Sequence, residues 1–144
     1  CLSYGVRREV SIKLGFHQPS DSDAFLTKKI IFAIKELRNA VAHNDVIFDT
    51  RFSRSSIDKS LSSSLEIVTG IKSITFKSIT DYIILVVYLL KCFGVPKGDM
   101  RRFVAEFQDN IETLRKQIPT SLFARIVLTD TRPKLKSLQE YIRK

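Results

Sequence analysis

Apolar residues return every three or four positions along five separate stretches of this chain, and few residues interrupt them. Only five Gly and four Pro occur in 144 residues. A repeat of that length is the signature of amphipathic helices, so an all-α fold is expected. Leu2 to about Leu14 reads as a first helix, closed by Gly15. The loop from Phe16 to Ser22 holds Pro19, and Asp21 or Ser22 can cap the next helix, Asp23 to about His43. There Ile30, Ile34, Leu37 and Val41 form one stripe. The stretch from Asp45 to Ser55 is irregular, with Val46-Ile47-Phe48 able to pack on a core. Ile57, Leu61, Leu65 and Val68 mark a third helix that Gly70 stops. Phe76 to about Phe93 is the most apolar helix and the expected centre of the fold; Gly94-Val95-Pro96 breaks it. Lys97 to Gln117 is an amphipathic fifth helix. Pro119 opens a short sixth through Leu128, and Pro133 opens a last one with Leu135, Leu138 and Ile142 on one side. No repeat, low-complexity tract or linker divides residues 1–144, so one bundle of six or seven helices is expected. The chain starts at Cys1 and reads as a fragment or processed form that lacks an N-terminal region.

Charge narrows the choice of partner. There are 24 Lys and Arg against 15 Asp and Glu, a net charge of +9. From Arg115 to Lys144 eight basic residues (Arg115, Lys116, Arg125, Arg132, Lys134, Lys136, Arg143, Lys144) face only Asp130 and Glu140. A basic third of this kind attracts polyanions through a long-range field and suits nucleic acid better than an acidic protein. The two cysteines, Cys1 and Cys92, imply no disulfide framework, so a reducing cytoplasm is the expected location. Ile83 to Leu90, the longest pure apolar run, is too short to span a bilayer, and no membrane partner is expected.

The chemistry concentrates in Arg38-Asn39-Ala40-Val41-Ala42-His43, late in the second helix. At about 100° per residue from Ile30, Asn39 falls near 180°, His43 near 220° and Arg38 near 80°. Asn39 and His43 thus point away from the apolar stripe, and Arg38 lies on its flank. Phe25 and Phe32 also fall opposite the stripe, so that side of the helix is expected to be central in the fold or pressed against another chain. Arginine stays charged and forks onto phosphate oxygens, and an imidazole titrates near neutrality. An amide four residues before the histidine shares its face and can orient it. Structural roles stay open for the same residues: Arg38 as an ion-pair partner of Glu36 or Asp45, His43 as a helix C-terminal cation, Asn39 as a satisfied buried amide.

Other chemistries find less support. No CxxC, HExxH, GxSxG or phosphate-binding glycine loop occurs, so neither a metal nor another cofactor is expected. Asp45 and Asp49 are a weak Mg²⁺ pattern, Glu106, Asp109 and Glu112 read as a solvated helix face, and Tyr82 and Tyr88 read as core.

The string Leu37-Arg38-Asn39-Ala40-Val41-Ala42-His43-Asn44, followed by Phe48-Asp49-Thr50-Arg51-Phe52, resembles the signature of the abortive-infection (Abi) proteins, AbiD/AbiF-like branch. Leu2-Ser3-Tyr4-Gly5 resembles the segment that precedes the motif there, and the likeness runs on through Asp81-Tyr82-Ile83-Ile84 toward the C-terminus. The resemblance implies a HEPN-type helical domain, often a metal-independent endoribonuclease that acts as a dimer. It implies Arg38, Asn39 and His43 as catalytic residues, in an anti-phage or toxin–antitoxin system with a protein or small-RNA antitoxin. The alternative is a non-catalytic RNA-binding or helical dimerisation module of the same fold. A homodimer through the motif helix would place two Arg38 and two His43 side chains in one cleft. Asn44, Arg51 and Arg54, just after the histidine, are expected to touch RNA. His17 is the only other histidine.

Overall fold

The structure, a computed structural model, describes residues 3–13, 15, 24–42, 52 and 57–144. Seven helices lie among them: α1 (Tyr4–Lys13), α2 (Phe25–Ala42), α3 (Lys59–Thr69), α4 (Ile79–Cys92), α5 (Lys97–Gln117), α6 (Thr120–Ile126) and α7 (Thr131–Arg143). No strand occurs among the described residues, so the all-α expectation holds.

The most apolar segment is indeed the centre. From Ile79 to Leu85 every residue of α4 is buried, and the helix touches α2, α5 and α7. Tyr82 and Tyr88 are core residues, and the Tyr82 ring lies 4.6 Å from Phe52 and 5.1 Å, edge-on, from Phe76. Burying such rings is the largest apolar contribution a fold of this size has available. Val104 and Ile111 bring α5 onto the core, and Leu135, Leu138 and Ile142 bring α7, as the spacing predicts; Met100, outside the expected α5 stripe, is buried with them.

Helix ends follow local chemistry. Asp58 caps α3, accepting from the Ser60 N–H at 2.8 Å. That bond, with Lys29 3.0 Å away, holds the Asp58 carboxyl down at about 2. Gly70, in the left-handed region at φ 75°, closes α3. Val68, expected on the core stripe, is instead 45% exposed, and Thr69 turns inward. Thr69 is tolerated there because its hydroxyl donates to the Leu65 carbonyl at 2.6 Å and accepts from the Ile71 N–H. At the other end of the bundle, Lys91 and Lys97 donate to the carbonyls of Tyr141 and Arg143. They thereby satisfy and neutralise the C-terminus of α7. Helix α7 starts at Thr131, two residues before Pro133. Proline fits the first turn, where no N–H is needed.

The expected start of the central helix at Phe76 is corrected. Helix α4 begins at Ile79, and residues 71–78 form an irregular, partly buried stretch with Ser73 and Phe76 at positive φ. Its organiser is Asp81, a fully buried carboxylate. One oxygen accepts from the N–H groups of Thr75 (3.0 Å) and Phe76 (2.9 Å); the other accepts from Lys134 of α7 at 2.7 Å. Glu66 of α3 accepts from the Ile74 N–H in the same stretch. A buried carboxylate costs several kcal/mol unless paired, and here every contact is a hydrogen bond to a donor that also needed one. Lys134 also contacts Asp130 at 2.8 Å. Burial alone would lower the Lys134 ammonium's pKa. The hydrogen bonds and charges of Asp130 and Asp81 outweigh burial and raise it.

That clasp corrects the reading of the basic C-terminal third. Lys134 is 4% exposed and spoken for. Arg132 donates to Glu112 at 2.6 Å, and Arg115 lies 3.7 Å from the same carboxylate. Glu112 is therefore not simply a solvated acid, and the hydrogen bond from Arg132 holds its carboxyl below the ordinary range. Cys92 is half-buried, in no disulfide, and burial raises its thiol pKa. Cys1 lies outside the described residues.

Candidate active site at the end of α2

Helix α2 carries the motif and packs against α1, α3 and α4. Its buried residues are Thr27, Ile30, Ala33 and Ala40, with Ile34 and Leu37 half-buried. Val41, the last member of the expected stripe, is 54% exposed. On an ideal wheel the buried residues centre between Ile30 and Ala33, about 30° from the expected stripe. The reason is steric: neighbouring helices come closest where side chains are smallest, so two alanines, which a search for large apolar residues passes over, define the packed line.

Arg38, expected on the flank of the core stripe, stands in solvent on the exposed face. Asn39, expected to point away from the core, is half-buried. Among the described residues no ion pair engages Arg38, so the pairing with Glu36 considered from the sequence does not form. His43, Asn44, Arg51 and Arg54 lie outside the described residues, as do His17, Asp45 and Asp49. Phe52, which ends the motif stretch, is 5% exposed and lies against Tyr82. Phe52 is thus tied to α4, while Ala42, where α2 ends, is exposed.

The exposed face of α2 carries more than Arg38. Phe25, Lys28, Ile31, Phe32 and Lys35 share it. Lys28, Lys35 and Arg38 stand in one line at spacings of seven and three residues, which makes a cationic track along the helix. Lys28 and Lys35 were legible in the sequence as a helical repeat of charge leading to Arg38, but attention to the six-residue motif alone misses them. Phe25 and Phe32, expected on a face away from the core stripe, are exposed, and Lys28 lies 5.3 Å from the Phe25 ring centre. Arginine and lysine beside exposed aromatic rings can hold a polyanion by charge and its bases by stacking.

No protein-family model, curated protein or solved structure matches this chain. Among the described residues no group of three His, Cys, Asp or Glu is placed to hold a metal ion. Also among them, no helix is long and apolar enough to cross a membrane.

Proposed function

We propose that this chain is a metal-independent endoribonuclease of the HEPN type, a toxin of an abortive-infection or toxin–antitoxin system, working in the cytoplasm. The observation that carries the reading is the Arg38-Asn39-x-x-x-His43 motif at the end of α2, with the Arg38 guanidinium in solvent and in line with Lys28 and Lys35. The motif's likeness to the Abi proteins supplies the reaction.

In that reaction the ribose 2′-hydroxyl attacks the adjacent phosphorus. The bond from phosphorus to the 2′-oxygen forms and the bond to the 5′-oxygen breaks, leaving a 2′,3′-cyclic phosphate and a 5′-hydroxyl. One proton leaves the attacking hydroxyl and one reaches the departing oxygen. His43 carries a proton in this scheme, and Arg38 stabilises the charge that grows on the phosphoryl oxygens. Asn39 orients the imidazole or bonds to the phosphate. One histidine does not serve easily as both acid and base in a single step, so the scheme uses two copies of the motif, one from each chain of a homodimer. Asn44, Arg51 and Arg54 hold flanking RNA, and a protein or small-RNA antitoxin keeps the toxin silent.

The second reading, a non-catalytic RNA-binding or dimerisation module, draws support from the exposed Phe25, Ile31 and Phe32, which suit an interface whether or not chemistry follows. Expression of the chain in bacterial cells separates the two. Growth arrest accompanied by RNA ends bearing 2′,3′-cyclic phosphate, both lost in His43→Ala, is expected of the ribonuclease. Arrest that survives His43→Ala without new RNA ends belongs to the binding module.

A further inference from the structure

A second site lies away from the motif, where α5 ends, α6 runs and α7 begins. A cavity of about 550 Å³ opens there, a size within the range of roughly 300–1,000 Å³ typical of small-ligand sites. Its floor is the buried Ile111 and Leu135, and Phe123 and Val127 form a wall. Helix α6 buries none of its residues fully, and Leu128 just beyond it is exposed at the cavity, so apolar surface is left uncovered. The Gln108 side chain lines the cavity and makes no hydrogen bond among the described residues.

The electrostatics of the mouth limit what can enter. Arg115 and Arg132 converge on one carboxylate, Glu112. Arg132 donates to it at 2.6 Å, while Arg115, at 3.7 Å, is too far for a hydrogen bond and keeps its donors. Two guanidiniums against one carboxylate leave a single surplus positive charge. That suits a phosphodiester, which carries one negative charge. A terminal phosphate, with a charge of about −1.5 to −2 at neutral pH, would face stronger repulsion from Glu112. Lys116, Arg125 and Lys136, each next in sequence to a residue that lines the cavity, are exposed and can meet the phosphates on either side.

We infer that this cavity seats one unstacked nucleotide of a single-stranded polynucleotide, its base against Phe123 and Val127 and its phosphodiester on Arg115 and Arg132. The Gln108 amide, a donor and an acceptor, meets the base edge. RNA rather than DNA as the source of that strand rests on the ribonuclease reading; the site itself does not.

The test is fluorescence anisotropy with a labelled uridine 12-mer, using the full chain carrying His43→Ala so that the strand stays intact. Arg115→Gln with Arg132→Gln is expected to weaken binding about tenfold at low salt and to reduce the log–log salt slope by about 0.7, the share of one phosphate contact. Phe123→Leu keeps the apolar bulk, and with it the fold, but removes the aromatic face; it is expected to weaken binding roughly fivefold or more with the slope unchanged. Binding by both variants within twofold of the parent would overturn the site, and so would free uridine monophosphate binding as tightly as the 12-mer. A DNA 12-mer that binds as well as RNA supports the site and removes RNA as its particular source. Pocket variants that lose affinity, while the chain with His43 in place never cleaves RNA, sink the ribonuclease reading and leave this site standing. Cleavage that persists while the pocket variants bind like the parent does the reverse.

Discussion

The half of the molecule built by α4, α5 and α7 and the layer built by α1 and α2 solve the same packing problem to different degrees. In the first, Asp81, Lys134, Thr80 and Thr131 are buried polar groups with partners: the Asp81–Lys134 pair, and the two hydroxyls 3.2 Å apart. Among the described residues, Ser78 Oγ and Asp130 Oδ1 are the buried side-chain atoms left unpaired there. In the second, Arg7 Nε, Ser11 Oγ and Thr27 Oγ1 are buried with no hydrogen-bond partner among the described residues, while Phe25, Ile31, Phe32 and Val41 are exposed. Unpaired polar groups inside and apolar groups outside both cost stability. The scaffold half therefore carries the fold, and the motif helix rides on it with a face still to be covered. A reactive residue on such a layer can be changed with little effect on the fold, whereas a change in the clasp reaches the whole molecule.

The largest expected effect breaks the scaffold. Asp81→Ala removes the partner of Lys134 and two backbone N–H contacts together, and is expected to cost about 3–5 kcal/mol in urea unfolding. Lys134→Met leaves those backbone contacts in place and is expected to cost less than Asp81→Ala. Equal losses would mean that residues 71–78 draw no stability from Asp81. Arg38→Ala, on the exposed layer, is expected to change stability by no more than about 0.5 kcal/mol. A large loss there would erase the contrast between the two regions.

The next effect sharpens the role of the exposed face. Phe25→Ser with Phe32→Ser is expected to turn a dimer into a monomer at tens of micromolar, estimated from ordinary dimer affinities. Light scattering reads this directly, and a parent chain already monomeric at that concentration contradicts a dimer through α2.

Smaller effects come from pH. The folded-state pKa of Lys134 is raised, so its contribution is fully present below the unfolded lysine value of about 10.4 and is lost as pH rises through the folded value. Stability of the parent should therefore fall more steeply above that pH than stability of Lys134→Met. The folded pKa of Asp58 is depressed to about 2, so its contribution is present above the unfolded value near 3.9 and fades as pH falls toward 2. Asp58→Ala is expected to lower stability at neutral pH through loss of the α3 cap, and the difference from the parent should shrink in acid.

Much of this architecture was legible because helix ends are written locally. Helix α5 spans Lys97–Gln117 as its periodicity and flanking prolines predict, and Gly70 ends α3 where expected. What escaped depends on distant partners. Lys134 and Asp81 are 53 positions apart, and nothing local tells that lysine from the surface cations around it. The start of α4 was misplaced for the same reason, since a side chain inside the helix organises residues 71–78 from beyond them. The face of α2 was misjudged because Ala33 and Ala40 pack more closely than larger residues and carry no weight in a hydrophobic stripe. At the site, Arg38 and Asn39 could be named from the motif and the spacing of Lys28, Lys35 and Arg38 could be read from the sequence, but the exposure of Arg38 and the half-burial of Asn39 depend on the neighbouring helices.

The most direct test of the central claim is incubation of the purified chain with mixed RNA in EDTA, the parent beside His43→Ala. Cleavage should persist in EDTA and leave 2′,3′-cyclic phosphate ends. His43→Ala should be slower by about 10²–10⁴-fold. Arg38→Ala should lose about 3 kcal/mol of transition-state stabilisation, with the helical circular dichroism of both variants intact. Asn39→Ala should lose less if the amide only orients the imidazole. A His43→Ala chain that cuts RNA as fast as the parent, or activity that EDTA abolishes, would contradict the account.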